Sequence, residues 1–272
     1  MVKAYQAACV QMASELGDKH TNLSTMRRWV QKICGEHPDL RLVVFPELVT
    51  TGFILGEKAC EAAELHDGEH LGFISKLAAE YQVHIVYGYV ERGAGGKIYD
   101  SQQLVSDQGK PLLNYRKIHL TEFEKSTFSA GHELAVVDTA LGKIGMQICW
   151  DLAFPELSRL QALQGCDLLV ASSAWESPYA PELQKFSMAR AIDNTLHLVV
   201  SNSVGECSGF NFSGHSGIYD PTGKALSQLQ DQAGYSIALI DPIIQQQCRN
   251  GFFSMLEERR LDVYSLNNES DQ

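Results

Sequence analysis

No run in this 272-residue chain approaches the roughly 18–20 consecutive apolar residues of a bilayer span, so no membrane segment is expected. There is no lysine or arginine block either. The 22 basic residues stand against 33 acidic ones, a net charge of −11, and a nucleic-acid surface needs the opposite balance. Seven cysteines are scattered without close pairs. An odd, dispersed set argues against a disulfide framework, and most should be small buried hydrophobes. C-x-x-C and H-E-x-x-H are missing, as are a P-loop, G-x-S-x-G and a dinucleotide fingerprint, so neither a metal nor a cofactor is expected. The first ten residues read as a strand, not as a charged leader with an apolar stretch, so no secretory signal is expected and a soluble cytoplasmic protein is.

What the chain does have is 44% hydrophobic residues, enough for one large core. A single domain over 1–272 is expected, with ordered residues to about 265 and a polar tail over 266–272. Strand and helix patterns alternate, which favours α/β layering. The spacing predicts helices over 18–34, 69–81, 154–164 and 181–194. It predicts strands over 40–45, 83–90, 98–105, 111–115, 143–149, 167–172, 196–201, 216–219, 225–229 and 235–240. Segments 39–45 and 166–172 look alike, each following an amphipathic helix. Weak symmetry between two halves is one reading of that; the general likeness of buried parallel strands is the other.

Three strand ends carry chemistry. Leu42-Val43-Val44-Phe45-Pro46-Glu47 delivers a carboxylate. Leu113-Asn114-Tyr115-Arg116-Lys117 delivers an ammonium. Ile144-Gly145-Met146-Gln147-Ile148-Cys149 delivers a thiol to a sharp turn, with a helix starting at Pro155-Glu156. Such a turn exposes the side chain and aims backbone N–H groups at what the sulfur attacks. A thiol must lose its proton to react, and none of the nine histidines sits in a cysteine-protease context. Glu47 is the expected base. Lys117 would favour the thiolate and face a developing oxyanion together with the N–H of Trp150. Nucleophile, base and cation suggest a covalent hydrolase. Singly each signal is weak, since a strand-end Glu is usually a surface turn, a lone Lys usually snorkels, and a lone Cys usually packs.

In combination these motifs resemble the nitrilase superfamily of carbon–nitrogen hydrolases. Phe45-Pro46-Glu47-Leu48 with Thr51-Gly52-Phe53 is similar to the family's first motif, Tyr115-Arg116-Lys117-Ile118-His119-Leu120 to its second, and Gly145-Met146-Gln147-Ile148-Cys149-Trp150-Asp151 to its third. Phe128-Ser129-Ala130-Gly131, Ala189-Arg190-Ala191-Ile192-Asp193-Asn194 and Arg259-Arg260-Leu261-Asp262-Val263-Tyr264 extend the likeness over nearly the whole chain.

The resemblance implies a four-layer α-β-β-α sandwich with two mixed β-sheets, in a homodimer or higher homo-oligomer joined through its helices. It implies Glu47 as general base and acid, Lys117 as oxyanion stabiliser, Cys149 as nucleophile, and Glu124 as a second glutamate in the site, with Glu122 as its competitor. It also implies Trp175 as a substrate-facing wall, with Trp150 and Phe53 beside it. Asp151 two residues after the nucleophile is more like amidases and carbamoylases than nitrilases. The implied activity is hydrolysis of a small linear carboxamide to an acid and ammonia. An N-carbamoyl amine or amino-acid hydrolase, or a nitrilase, would use the same three residues, and a catalytically silent assembly protein is the reading from a different class.

Overall fold

The structure is a computed structural model that describes residues 2–263; the expected polar tail and Tyr264 lie outside them. In chain order its strands are β1 (Tyr5–Gln11), β2 (Leu40–Val44), β3 (His84–Arg92), β4 (Ile98–Val105), β5 (Pro111–Arg116), β6 (Val136–Thr139), β7 (Gly142–Ile148), β8 (Leu168–Ser173), β9 (His197–Asn202), β10 (Val204–Cys207), β11 (Phe210–Ser213), β12 (Gly217–Tyr219), β13 (Ala225–Gln228) and β14 (Gly234–Ile240). The helices are α1 (Lys19–Glu36), α2 (Glu57–Ala62), α3 (Glu69–Tyr81), α4 (Pro155–Leu163), α5 (Ala180–Asn194) and α6 (Pro242–Arg249).

Twelve strands form two six-stranded mixed sheets, ordered β14-β1-β2-β3-β4-β5 and β6-β7-β8-β9-β12-β13. Read in those directions, each sheet has the same sequence of pairings: antiparallel, parallel, parallel, antiparallel, antiparallel. The two similar segments, 39–45 and 166–172, supply β2 and β8, which hold the same place in their sheets. The symmetry hinted at in the sequence is therefore architectural. The chain makes two αβ halves and packs them face to face.

Strand alternation divides the core. On β1, Ala7 and Cys9 enter the core that both sheets share, whereas Ala8 and Val10 face outward. The outward set packs on Leu23, Met26, Val30 and Ile33 of α1 and on Leu71, Ile74 and Leu77 of α3. That apolar face, at i, i+3, i+7 and i+10, makes α1 a helix in this setting, and the Asp18 side chain caps it by accepting from the Thr21 N–H. On the far side, Gln147 of β7 donates to Ser158 and Gln161 of α4, which covers the second sheet. The layers run helix, sheet, sheet, helix, as the resemblance implied.

Polar bonds also bridge the sheets near the site. The Ser172 hydroxyl donates to the Phe45 carbonyl at 2.6 Å, and the Glu47 N–H reaches the Ser173 carbonyl at 3.4 Å. These tie the segment after β2 to β8 and fix where Glu47 stands. Among the described residues no helix is long and apolar enough to cross a membrane.

Candidate active site

Cys149 follows β7 and opens a 3-10 turn (Cys149–Ala153) that leads into α4. Its φ is +46°, in the left-handed region that side chains other than glycine rarely adopt. The strand expected over 143–149 therefore stops one residue early, because Cys149 turns away from the sheet. That turn is held from two sides. The Asp151 carboxylate, fully buried, accepts from the Ile148 N–H at 3.0 Å, the Tyr115 hydroxyl at 2.7 Å and the His119 N–H at 3.0 Å. From behind, the Arg190 guanidinium of α5 donates to the Leu152 carbonyl at 2.8 Å. Asp151 thus couples the thiol's turn to the segment that carries Lys117, and the Ala189–Asn194 motif braces it.

Glu47 lies just past β2. Its loop passes so close to β3 that a Cβ at Gly88 would stand 2.8 Å from the Glu47 Cα, so only glycine fits there. Lys117 ends β5. Its N–H donates to the Asp100 carbonyl at 2.9 Å, and its carbonyl accepts from Gly131 at 2.7 Å, which gives the Phe128–Gly131 motif a structural purpose. The Lys117 ammonium is buried, at 2.6 Å from Glu47, 2.6 Å from Glu124 and 3.4 Å from Asp100. Glu124 is buried and also accepts from the Thr121 N–H at 2.7 Å. Glu122, the competing residue, is exposed and pairs with Lys125. Of the two glutamates, Glu124 is the one that enters the pit.

Charge in this pit follows from burial. Burial alone would lower the Lys117 pKa, but Glu124, Glu47 and Asp100 more than reverse it and hold the ammonium charged. The Cys149 thiol is pushed well above its ordinary value, first by burial and then by the Glu47 charge. Lys117 pulls the other way, as the sequence suggested, but is outweighed. A sulfur held in the thiol form would need a base to react. The Ala174 N–H also points at it.

Asp100 is the site residue that sequence reading missed. Both of its carboxyl oxygens are buried without a hydrogen-bond donor, as is Glu47 Oε2. Burial first, and the Glu47 charge second, hold its pKa well above the carboxylate range. Keeping a carboxyl neutral at pH 7 costs about 4 kcal/mol relative to solution. One uncancelled negative charge ~4 Å away costs about as much at an effective dielectric near ~20. Desolvation adds to that repulsion in the same direction. A usable signal existed in the sequence: Asp is disfavoured in strands, and Asp100 shares the inward face of β4 with Gln102 and Leu104.

Above the pit opens a cavity of about 490 Å³, lined by Cys149 and Glu124 at its floor and by Phe53, Trp150, Trp175, Phe123, Tyr179 and Phe186 along its walls. All three expected substrate-facing aromatics line it. Trp175 is clamped by Asn202, whose side-chain oxygen accepts from the Trp175 backbone N–H at 2.6 Å, and the Trp175 ring lies 5.6 Å from Trp150 and 5.9 Å from Phe186. Phe53 sits deeper in a separate cluster with Phe210, Phe212 and Phe123. The charged residues on the lining are Glu122, Glu176, Glu182 and Lys125 beside Glu124, with no arginine among them.

A buried carboxylate, ammonium and thiol brought from three strand ends of a double-sheet sandwich fit one class of enzyme, the non-peptide C–N hydrolases. The chain belongs to the carbon–nitrogen hydrolase family, whose model matches residues 6–249. A Schizosaccharomyces pombe protein named as a probable nitrilase is 36% identical over 264 residues, covering 94% of this chain and 96% of that protein. The 2-oxoglutaramate amidase of Bacillus subtilis is 29% identical over 259 residues, 94% of this chain and 98% of that one. The crystal structure of a carbon–nitrogen hydrolase from Helicobacter pylori superposes with a TM-score of 0.91 at 26% identity, covering 97% of each chain. The fold and the superfamily implied by the sequence motifs both hold.

Proposed function

We propose that this hydrolase is an amidase that converts a small, uncharged linear carboxamide to its acid and ammonia through a thioester on Cys149. The observation that carries the reading is the buried Lys117 ammonium, bonded at 2.6 Å to both Glu47 and Glu124 beside a thiol that burial keeps protonated. Glu47 accepts the thiol proton as Sγ attacks the carbonyl carbon. The oxyanion forms against the Lys117 ammonium and the Trp150 N–H, an interaction of the kind worth roughly 3–4 kcal/mol per donor. The intermediate collapses as Glu47 returns its proton to the leaving nitrogen, and ammonia departs. Water, losing a proton to Glu47, then attacks the thioester; that proton passes to the sulfur, and acid and free thiol separate. Glu124 holds the ammonium from its other side.

The cavity walls favour an uncharged or apolar acyl group. Six aromatic side chains line it, and the rim offers three carboxylates against Lys125, which Glu122 already engages. A substrate with a carboxylate of its own, such as the 2-oxoglutarate monoamide named for the Bacillus subtilis relative, would meet no arginine there. The seven cysteines are all free, which suits a reducing cytoplasm. Exposed Leu160 and Leu163 of α4 and Met188 of α5 suit a homodimer joined through these helices. Because both sheets contribute to the pit, the chain acts as one catalytic unit.

An ammonia-release panel tests this reading with aliphatic and aromatic amides, 2-oxoglutaramate, ureido acids and nitriles in parallel. Neutral amides should turn over fastest. Carbon dioxide released with ammonia would mark a carbamoylase, and preference for 2-oxoglutaramate would refute the uncharged-substrate reading.

A further inference from the structure

We propose that Asp100 is a positioning residue: a buried carboxylic acid that stays protonated and donates its one proton to Glu47, holding Glu47 ionised and aimed at Cys149. The catalytic half of this rests on the function proposed above; the protonation half does not.

Geometry is the ground for it. Glu47, Asp100 and Glu124 bring carboxyl oxygens within 4.8 Å of one another in a region closed to solvent. The ammonium that touches all three is that of Lys117, and its two short contacts go to Glu47 and Glu124, leaving Asp100 at 3.4 Å. Three ionised carboxylates around one ammonium would leave two uncancelled charges in the dry interior. One bound proton removes one of them.

That proton also pairs two of three orphaned oxygens, Glu47 Oε2 and one of the Asp100 pair. Glu47 uses Oε1 for Lys117, while its Oε2 and both Asp100 oxygens meet no protein donor. Carboxyl oxygens of Asp100 and Glu47 lie within 4.8 Å of each other, so a proton on Asp100 places a donor beside Glu47. Glu124 is the poorer candidate for the acid, since it already accepts from Lys117 and from the Thr121 N–H. The titratable groups that face Asp100 are Glu47 after β2 and Lys117 and Glu124 after β5. Its partner on β3, Val90, adds none.

The consequence is mechanistic. A base that must take a thiol proton, give it to ammonia and then take one from water has to return each time to the same ionised, aligned state. A neutral donor on Glu47 Oε2 fixes its rotamer and leaves Oε1 to Lys117. Asp100 touches no reacting atom in this scheme; it acts through Glu47.

Two substitutions in the full-length protein separate the possibilities. Asp100→Asn keeps a donor and cannot ionise; Asp100→Ala cannot ionise and has no donor. Infrared difference spectra at pH 7, wild type minus Asp100→Asn, should contain a protonated-carboxyl C=O band that shifts in D2O. With the best amide of the panel, Asp100→Ala should lower kcat about 10- to 100-fold with little change in KM, as expected when a catalytic group loses its alignment. Asp100→Asn should recover most of that loss and lack the alkaline decline that ionisation of Asp100 gives the wild type. Absence of the band at pH 7 overturns the proposal. So does a band accompanied by wild-type kcat in Asp100→Ala. Failure of the amidase reading would appear elsewhere, as turnover surviving in Cys149→Ala, and would leave the infrared band untouched.

Discussion

Glu47, Lys117 and Glu124 are all but closed to solvent, whereas Glu122 and Tyr179, on the rim of the same cavity, are exposed. The pit hangs from strand ends and is cross-braced by buried bonds: Ser172 to Phe45, Asp151 to Ile148 and Tyr115, Gly131 to Lys117. The mouth is made of loops and the first turns of α5, with aromatic edges beside exposed ion pairs such as Glu122–Lys125. Rigid charge at the floor and adaptable apolar area at the entrance are what bond cleavage and substrate selection separately need. If that division of labour is real, changes in the pit should act on kcat for every substrate, and changes at the mouth on KM for some of them.

The largest effect should come from Glu47→Gln. Without a proton acceptor beside a thiol whose pKa is already raised, alkylation of Cys149 by iodoacetamide at neutral pH should slow by about 10²-fold or more, within the range of general-base contributions. Raising the pH should restore the rate as hydroxide takes over. An unchanged neutral rate would mean that some other group activates the sulfur.

A smaller contrast sets the two neighbouring glutamates against each other. Glu124→Gln removes a buried charge from Lys117 and should cost about 10-fold or more in kcat, together with a lowered melting temperature, since breaking a buried ion pair costs several kcal/mol. Glu122→Gln loses only an exposed pair with Lys125, worth under about 1 kcal/mol, and should stay within about threefold of wild type. Equal effects would blur the boundary between pit and mouth.

A substrate-selective change is expected at Trp175→Ala. Burial of an aromatic face in the substrate complex is worth a few kcal/mol at most. KM for amides with bulky acyl groups should rise about tenfold, while kcat for the smallest amides holds. A uniform loss of kcat would instead make Trp175 part of the floor.

The same division explains what could be read from the sequence. Glu47, Lys117 and Cys149 each follow an apolar run and precede a turn, so strand punctuation revealed them, and the sheets supply the rest of the geometry. The repeat of β2 in β8 was visible too, because buried parallel strands carry a strong apolar signature. Glu124 was favoured over Glu122 by the resemblance and not by pattern, since the turns over 122–127 have no period that says which carboxylate points inward. Asp100 escaped notice as one polar residue in a strand read mainly for its hairpin; the inward register of β4, not the spacing, exposes it. Helix α6 follows Asp241-Pro242, a cap with proline at the first helical position that was legible and passed over. Strands β6, β10 and β11 are only four residues each, too short for periodicity to declare.

Mass spectrometry of the protein quenched during turnover of a neutral amide tests the nucleophile directly. The peptide bearing Cys149 should carry the substrate's acyl mass without its nitrogen, and Cys149→Ala should carry none and release no ammonia above background. Sustained ammonia release by Cys149→Ala, or an acyl group found on another residue while Cys149 stays unmodified, would contradict it.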